Sequence, residues 1–473
     1  MNTPAAFVLG LLLAGGAVRA QQLLAPAPVS ASASAPVDGN DKSWTVPALE
    51  IVAFDFLLNR YNRRFSGLHD YDVTAGSIRR NLRGPWVTDN DPFKINQFAH
   101  PYQGSLYHGA ARATGLNYWE ASALTFAGSA LWEIAGEKTP PARNDQIASG
   151  IAGSFLGEPL YRMAQMVLRG RSIVPAAWRE TAAAVISPAV GLNRLAFGQR
   201  FGAAFDDHDP AYYGRMHIGP THVTRHAFDT STQFKSDMVQ ADFLLDYGLP
   251  GKPGYTYRRP FDYFTFQTLF SSANGIEQVS TRGLLYGTDY AVSDSYRGIW
   301  GLYGNYDYLS PQIFHISTTS LSLGTTGQWW ATKAIAVQGT ALAGLGYSAV
   351  SSTTRRIGDD SEYNYGTAAR FAVALRVIAG ERASADVSAR LVSVGRIANR
   401  IAGRDDISRV DTNFTYRIMG RHAIGANVLW SHRSASYPVA GDRRQTLSTV
   451  GVYYTLLSSD GFGAPDWRPG AAN

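Results

Sequence analysis

From about Thr221 onward, apolar and polar residues alternate with a period of two. Tyr363, Tyr365, Thr367, Ala369, Phe371, Val373, Leu375 and Val377 fall on one side of such a run. Asn364, Gly366, Ala368, Arg370, Ala372, Ala374 and Arg376 fall on the other. Successive strand residues point to opposite faces, so the run predicts a strand with one apolar and one mixed face. Val410, Thr412, Phe414, Tyr416 and Ile418 alternate in the same way. Further runs near 221–232, 235–247, 261–273, 276–291, 297–308, 313–326, 332–350, 382–397, 422–437 and 444–457 bring the expectation to about twelve strands. That number is even, as bacterial barrels prefer, and many runs exceed the roughly 9–11 residues that cross a bilayer. A soluble β-sandwich is the alternative, but its strands are usually nearer 5–6 residues.

Before Thr221 the period is helical. A helix is expected from about Val46 to Arg64, with Leu49, Val52, Phe56 and Leu57 on one face. Arg60, Arg63 and Arg64 sit at its C-terminal end, where cations suit the helix dipole. Trp86 to Asn96 reads as a polar turn, since its Asp-Asn-Asp lacks the spacing of a calcium loop. Three helices follow, near Gly104–Ala113, Tyr118–Gly136 and from Asn144 or Asp145 to Leu168, with a kink expected at Pro159. A fourth, Pro175 to Phe197, is interrupted at Pro188 and Gly191. None is apolar enough to cross a membrane. The fold class expected is therefore α+β: an N-terminal helical domain, then an antiparallel transmembrane β-barrel.

The ends fit export. Residues 1–20 have the apolar core Phe7–Ala14, then Val18-Arg19-Ala20 ahead of a cut at Gln21, as in a secretory signal. Residues 21–42 are rich in Pro, Ala and Ser and read as a disordered linker. The helical domain is expected over 43–200, a connector over 201–220, the barrel over 221–457 and a tail over 458–473. Tight turns at Gly380-Glu381 and Gly420-Arg421 belong on the periplasmic side, and longer loops near 351–361, 398–405 and 438–443 outside. Asn274-Gly275, a strong hairpin signal, falls on the outer side as an exception.

Composition sharpens this reading. Forty-seven glycines and 12% aromatics, with a mean hydropathy of -0.14, suit a barrel with one apolar face. Lys and Arg at 43 against Asp and Glu at 37 are too balanced for a nucleic-acid binder. With no cysteine, disulfides, thiolate metal sites, cysteine nucleophiles and lipoprotein anchors are excluded.

The helical stretch Asn96–Arg162 crowds polar residues into an otherwise small and apolar sequence. Glu133 and Glu137 are spaced i, i+4 and with His100 could form an acid/base pair or a carboxylate-rich metal site. Alternatively, Glu133 pairs with Arg112 or Arg162 and Glu137 is a solvated helix end. Asn144 or Asp145 reads first as a helix N-cap, and otherwise as part of a lipid-headgroup or glycan site. Glu158 and Arg162 are again i, i+4 and read as an intrahelical ion pair, unless Arg162 grips a phosphate. His108 reads as a packed or surface histidine. Gly104, Gly128, Gly150, Gly153 and Gly157 predict close helix packing. No nucleophile elbow, phosphate loop or zinc-protease motif occurs. On the polar strand face, Arg370, Arg376, Arg390 and Arg417 would line the lumen, with Asp386 and Asp411 as partners.

The stretch from Trp86 to Arg200 resembles the bacterial family known as domain of unknown function 3943. The resemblance lies in NQFAHPY (Asn96 to Tyr102), GSLY (Gly104 to Tyr107), AAR with Gly115, and GS followed by WE (Gly128, Ser129, Trp132, Glu133). It continues through Glu137, ND (Asn144, Asp145), LGE with YR (Leu156 to Glu158, Tyr161, Arg162), Pro188 and GLNRL (Gly191 to Leu195). It implies an exported envelope protein and no known activity. The chain departs from the pattern at Gln103, where histidine is common, which tells against a metal site centred on His100. The last strand, with Thr449, Gly451, Tyr454 and Leu456, resembles the terminal recognition signal of outer-membrane barrels.

The expectation is an outer-membrane barrel whose periplasmic helical domain binds or remodels envelope lipid or glycan. Its candidate catalytic residues are His100, Glu133, Glu137 and Asp145; its candidate binding residues are Asn96, Asn144, Glu158 and Arg162. No metal or cofactor is expected. Partners would be outer-membrane lipid and the barrel assembly machinery. The alternatives are a membrane-embedded hydrolase or acyltransferase acting on lipid, and a helix-plugged channel.

Overall fold

The structure is a computed structural model that describes residues 41–89, 91–169, 174–201, 210–227, 233–311, 313–352, 363–395, 403–438 and 441–468. The export signal, nearly all of the linker, and most of the loops near 351–361 and 398–405 lie outside these residues. The chain divides into two units, Met1–Asp206 and Asp207–Asn473.

The helical unit contains α1 (Thr45–Phe65), α2 (Ala75–Arg83), α3 (His100–Ala113), α4 (Tyr118–Leu131), α5 (Arg143–Ile147), α6 (Gly153–Arg169), α7 (Ala176–Ile186) and α8 (Pro188–Phe197). The helix starts are locally encoded. Thr74 and Ser77 form a reciprocal capping box at α2, and Asn117 and Glu120 do so at α4. Gly115, at φ +85, ends α3 as expected. The expected fourth helix is interrupted at Ser187, directly before Pro188 as expected, and runs unbroken through Gly191.

Three π turns, Ile95–Ala99, Trp132–Gly136 and Ala148–Ala152, adjoin α3, α4 and the α5–α6 junction. A π turn adds a residue to a helical turn and re-aims the side chains around it. Glycine lets these helices close up. A Cβ on Gly104 would stand 1.9 Å from the Ser149 carbonyl oxygen, and one on Gly153 would stand 2.7 Å from Gly104 Cα. Helix α3 thus meets π turn 148–152 backbone to backbone. No helix among the described residues is long and apolar enough to cross a membrane.

The second unit is a closed antiparallel barrel of twelve strands, each beside its sequence neighbour, with the first and last paired. They are β1 (Tyr212–Ala227), β2 (Gln233–Tyr247), β3 (Phe264–Ser271), β4 (Gly275–Ser293), β5 (Tyr296–Leu309), β6 (Phe314–Trp330), β7 (Ile335–Ser352), β8 (Tyr363–Ala379), β9 (Ala383–Val394), β10 (Arg404–Met419), β11 (His422–Tyr437) and β12 (Gly441–Leu457). Closure satisfies every strand edge, which a bilayer demands and a sandwich does not provide. The facing is inverted relative to a soluble protein. Phe371, Val373, Leu375, Phe414, Val428 and Val452 are exposed on the outside, whereas Arg370, Arg376 and Arg409 are buried inside. This is the facing of an outer-membrane barrel.

Strand β1 begins at Tyr212, nine residues before the alternation becomes obvious, so half of the expected connector is barrel. Gly219 and Pro220 disguise it, yet both pair within the β1–β2 ladder. The tight turns at Gly380 and Gly420 lie at the end where β1 begins, hereafter the entry end. Residues 248–263 form a long connection at that same end, contrary to the short-turn expectation.

The lumen is filled in layers. At mid-depth, side chains bridge opposite walls. Arg390 on β9 donates to Gln267 on β3 (3.2 Å), Ser280 on β4 (2.9 Å) and Asp307 on β5 (3.0 Å). Arg376 on β8 reaches Asp246 on β2 at 2.9 Å and Asp386 on β9 at 2.5 Å. Arg409 on β10 donates to Gln278 on β4 at 2.8 Å. The space left, lined in part by Arg215, Arg282, Arg370 and Asp411, is a cavity of about 120 Å³. Of the expected members, Arg417 sits elsewhere, and Asp411 lines the cavity but is engaged by asparagines. Arg417 folds onto Glu381 at the turn end, and Asp411 accepts from Asn413 and Asn427, both at 2.7 Å. At the entry end the tail turns back: Phe462 packs with Tyr213 and Leu249, and Gly463 and Pro465 carbonyls take bonds from Gln338 and Gln328. At the far end Ile313 and Phe314 join Val223, Met238, Ile407 and Leu447 in an apolar layer.

Candidate functional site

The site assembles around a short bridge. Val87 N–H donates to the Pro141 carbonyl and Arg143 N–H to the Val87 carbonyl, both at 2.8 Å. Pro140 and Pro141 hold their strand extended, so this bridge places Asp89 beside the start of α5. Asp89 Oδ1 accepts from Asn96 and Asn144, both at 2.6 Å, and Asn144 Oδ1 accepts the Asp89 N–H at 3.1 Å. Asn144 Nδ2 also donates to Asp145 Oδ1 at 2.9 Å. The N-cap of α5 is Ala142, so Asn144 and Asp145 are not caps. They belong to a buried polar centre whose hub, Asp89, reads from the sequence as a solvated turn.

Three candidates converge there. His100 Nε2 stands 3.8 Å from Asp145 Oδ2. One ligand atom from each of His100, Glu133 and Asp145 lies within 4.8 Å of the others. His100 Nδ1 is 3.3 Å from Ser149 Oγ, and Glu133 Oε2 accepts the Ala142 N–H at 2.8 Å. His100 follows the first π turn, Glu133 lies in the second and Ser149 in the third. All three are buried. Burial, opposed by the Asp89 charge, lowers the His100 imidazole to about 4. Burial first, then the charges of Asp89 and Glu133, pushes Asp145 well above the carboxylate range. Burial and then Glu137 do the same to Glu133.

Glu137 stands apart. It accepts from Trp132 Nε1 (2.9 Å) and Thr139 Oγ1 (3.1 Å), and burial followed by Asp91 raises it to about 7. It is a bonded helix terminus, not a solvated one. Gln103 faces away from His100, donating to Tyr107 Oη at 2.5 Å while Tyr107 donates to Asp55. Its identity therefore has no bearing on the His100 cluster.

The other candidates form a second centre. Glu158, fully buried, accepts from Arg112 Nε at 2.7 Å and Arg162 Nε at 2.9 Å, with His108 Nε2 at 3.1 Å. The i, i+4 pair with Arg162 is thus present. The pairing of Glu133 with an arginine is not, because both arginines are engaged by Glu158. Arg162 is 2% exposed and is not presented to a phosphate. Burial alone would raise Glu158, but Arg112 and Arg162 beside it hold its carboxyl far below the usual range. Trp132 is buried and Trp119 half exposed, so these two and Arg162 do not line a common open groove.

Serine, histidine and aspartate stand in line at Ser149, His100 and Asp145. Ser149 is 1% exposed, so no substrate carbonyl reaches its hydroxyl in this arrangement. The helical unit's surface chemistry lies on α1 instead. Ile51, Asp55 and Leu58 face inward, while Leu49, Val52, Phe56 and Leu57 are all more than half exposed. The four apolar residues that share a face thus point to solvent.

No curated protein sequence matches the chain. Among solved structures, the NanC porin is 9% identical, with 50% of this chain and 98% of that one covered and a TM-score of 0.26. The COG4313 outer-membrane channel from Pseudomonas putida F1 is 10% identical, covering 54% and 97%, with a TM-score of 0.27. The translocator domain of the autotransporter NalP from Neisseria meningitidis is 12% identical, covering 52% and 90%, with a TM-score of 0.24. The barrel assignment rests on strand closure and inverted facing, not on these likenesses. Residues 85–189, which hold both buried centres, match the family described as domain of unknown function (DUF3943), and a closed twelve-strand barrel follows them in the chain.

Proposed function

We propose that the barrel anchors the chain in the outer membrane and that the helical domain binds envelope lipid through α1. The observation that carries this reading is the outward apolar stripe Leu49, Val52 and Phe56, spaced i, i+3, i+7 and ending in Arg60, Arg63 and Arg64. An apolar face with cations at its edge matches acyl chains beneath anionic headgroups. The domain would then lie at the periplasmic leaflet. The stripe favours lipid over glycan, and the covered Ser149 and His100 favour binding over hydrolysis or acyl transfer. The channel alternative requires the cross-lumen side chains to move.

The chain has no cysteine, so single-cysteine probes report without background. Val52→Cys and Phe56→Cys would carry an environment-sensitive fluorophore in protein reconstituted into phosphatidylethanolamine/phosphatidylglycerol liposomes, with Arg79→Cys as control. A blue shift and quenching by spin-labelled lipid are expected at 52 and 56 but not at 79. They should weaken when phosphatidylglycerol is omitted. Equal quenching by an aqueous agent at all three positions would refute lipid binding by α1.

A further inference from the structure

We propose that His100, Glu133 and Asp145 form a binding site for one divalent transition-metal ion of the zinc, manganese or iron(II) class. The carboxylates alone would not carry this. The second observation is the His100 imidazole, 5% exposed, whose Nδ1 is held by Ser149 Oγ so that Nε2 faces the carboxylates. It is aimed at Asp145 Oδ2, 3.8 Å away and out of hydrogen-bond range.

The remaining atoms of the three side chains are held as ligands are usually held. His100 Nδ1 is tied to Ser149 Oγ, Glu133 Oε2 to the Ala142 N–H, and Asp145 Oδ1 to Asn144. These bonds fix the three side chains in place, Asp145 lies also against the Asp89 carboxyl, and one ligand atom from each of the three faces the same point. Donor atoms within 4.8 Å of one another need only about 1.4 Å of closure to reach the roughly 3.4 Å of a tetrahedral site with ~2.1 Å bonds. Side-chain rotation supplies that.

The donor set selects the ion class. One imidazole and two carboxylates suit zinc, manganese or iron(II). Calcium wants six to eight oxygens, and magnesium keeps most of its water. An ion here would also tie together the segments that the three π turns re-aim, at the junction of α3, α4 and α5. The site is thus assigned to holding the domain together, independently of lipid binding by α1.

The test uses full-length protein in detergent, with the exposed His69→Ala and His222→Ala changes removing two surface histidine–aspartate pairs. After chelator treatment and dialysis against zinc, elemental analysis should find about one zinc per chain. Asp145→Asn should lose that equivalent, and Glu137→Gln should keep it. Ser149→Ala should weaken binding about 10–100-fold. Copper(II) loaded into the unaltered site should show a single histidine nitrogen in its electron paramagnetic resonance spectrum. This measurement needs no site variant to fold. No retained zinc, no nitrogen coupling, or equal binding by folded Asp145→Asn would each overturn the assignment.

Discussion

Replacing Glu158 by glutamine keeps the side chain's shape and removes the charge that Arg112 and Arg162 face. Both arginines are at most 3% exposed, so neither can turn to water without opening α3 against α6. Breaking a buried ion pair by removing one partner costs about 3–5 kcal/mol, because an uncompensated charge remains. For a domain of this size each kcal/mol is about 2–4 °C in Tm. Glu158→Gln should therefore lower the melting of the helical unit by roughly 10 °C, read as loss of 222 nm ellipticity in full-length protein in detergent micelles. Glu158→Leu combined with Arg112→Met and Arg162→Met should recover most of this, since no unpaired charge is left. The pH dependence has a definite sign. Glu158's carboxyl lies below its unfolded value, so its contribution is complete above about pH 4.3 and is lost as pH falls toward the folded value. Glu158→Gln should flatten that acid limb. If Glu158→Gln melts within 2 °C of the parent, the two arginines are not held by this charge and the reasoning fails.

Two further perturbations probe the frame around the His100 cluster. Gly104→Ala would drive a methyl onto the Ser149 carbonyl. Because backbone must move, a cost near the top of the about 1–3 kcal/mol range for overpacking is expected in the same melt. Asn81 donates to the carbonyls of Glu137 (3.1 Å) and Thr139 (2.8 Å) after the second π turn. Asn81→Ala should cost about 1–3 kcal/mol and speed proteolysis in the 132–141 segment.

The barrel was legible because lipid facing enforces a strict period of two. Phe371, Val373 and Leu375 alternate with Arg370, Ala372, Ala374 and Arg376 regardless of what fills the lumen. Gly219 and Pro220 broke that signal at the start of β1. The helices were legible from their period and from stops such as Gly115. Their orientation was not: α1 carries apolar residues on two faces, and periodicity cannot say which one meets the core. The choice of partners was illegible for a similar reason. Glu158 has Arg162 one helical turn away and Glu133 has no arginine within a turn, but only α3 packing on α6 gives Arg112 to Glu158. The π turns have no sequence signature, so the convergence of His100, Glu133 and Ser149 could not be seen in advance. Asp89 was hidden because its binding partners, Asn96 and Asn144, lie on separate helices.

What fills the lumen bears on whether the barrel conducts. Side chains from β8, β9 and β10 reach β2, β3, β4 and β5, so the bridges span the ring and do not merely line it. The cavity they leave is walled by Arg215, Arg282, Arg370 and Arg376, so a solute crosses only where these bridges part. Arg390 is the least buried of the bridging arginines and the one with most partners across the lumen, so it is the place to cut. In planar bilayers the unaltered protein should show no stable unitary conductance. Arg390→Ala with Arg376→Ala should open steps, because Asp307, Asp246 and Asp386 lose cationic partners and draw in water and cations. The pore so formed should prefer cations. Stable conductance from the unaltered protein would mean that the bridges yield, and the barrel would then be a channel before it is an anchor.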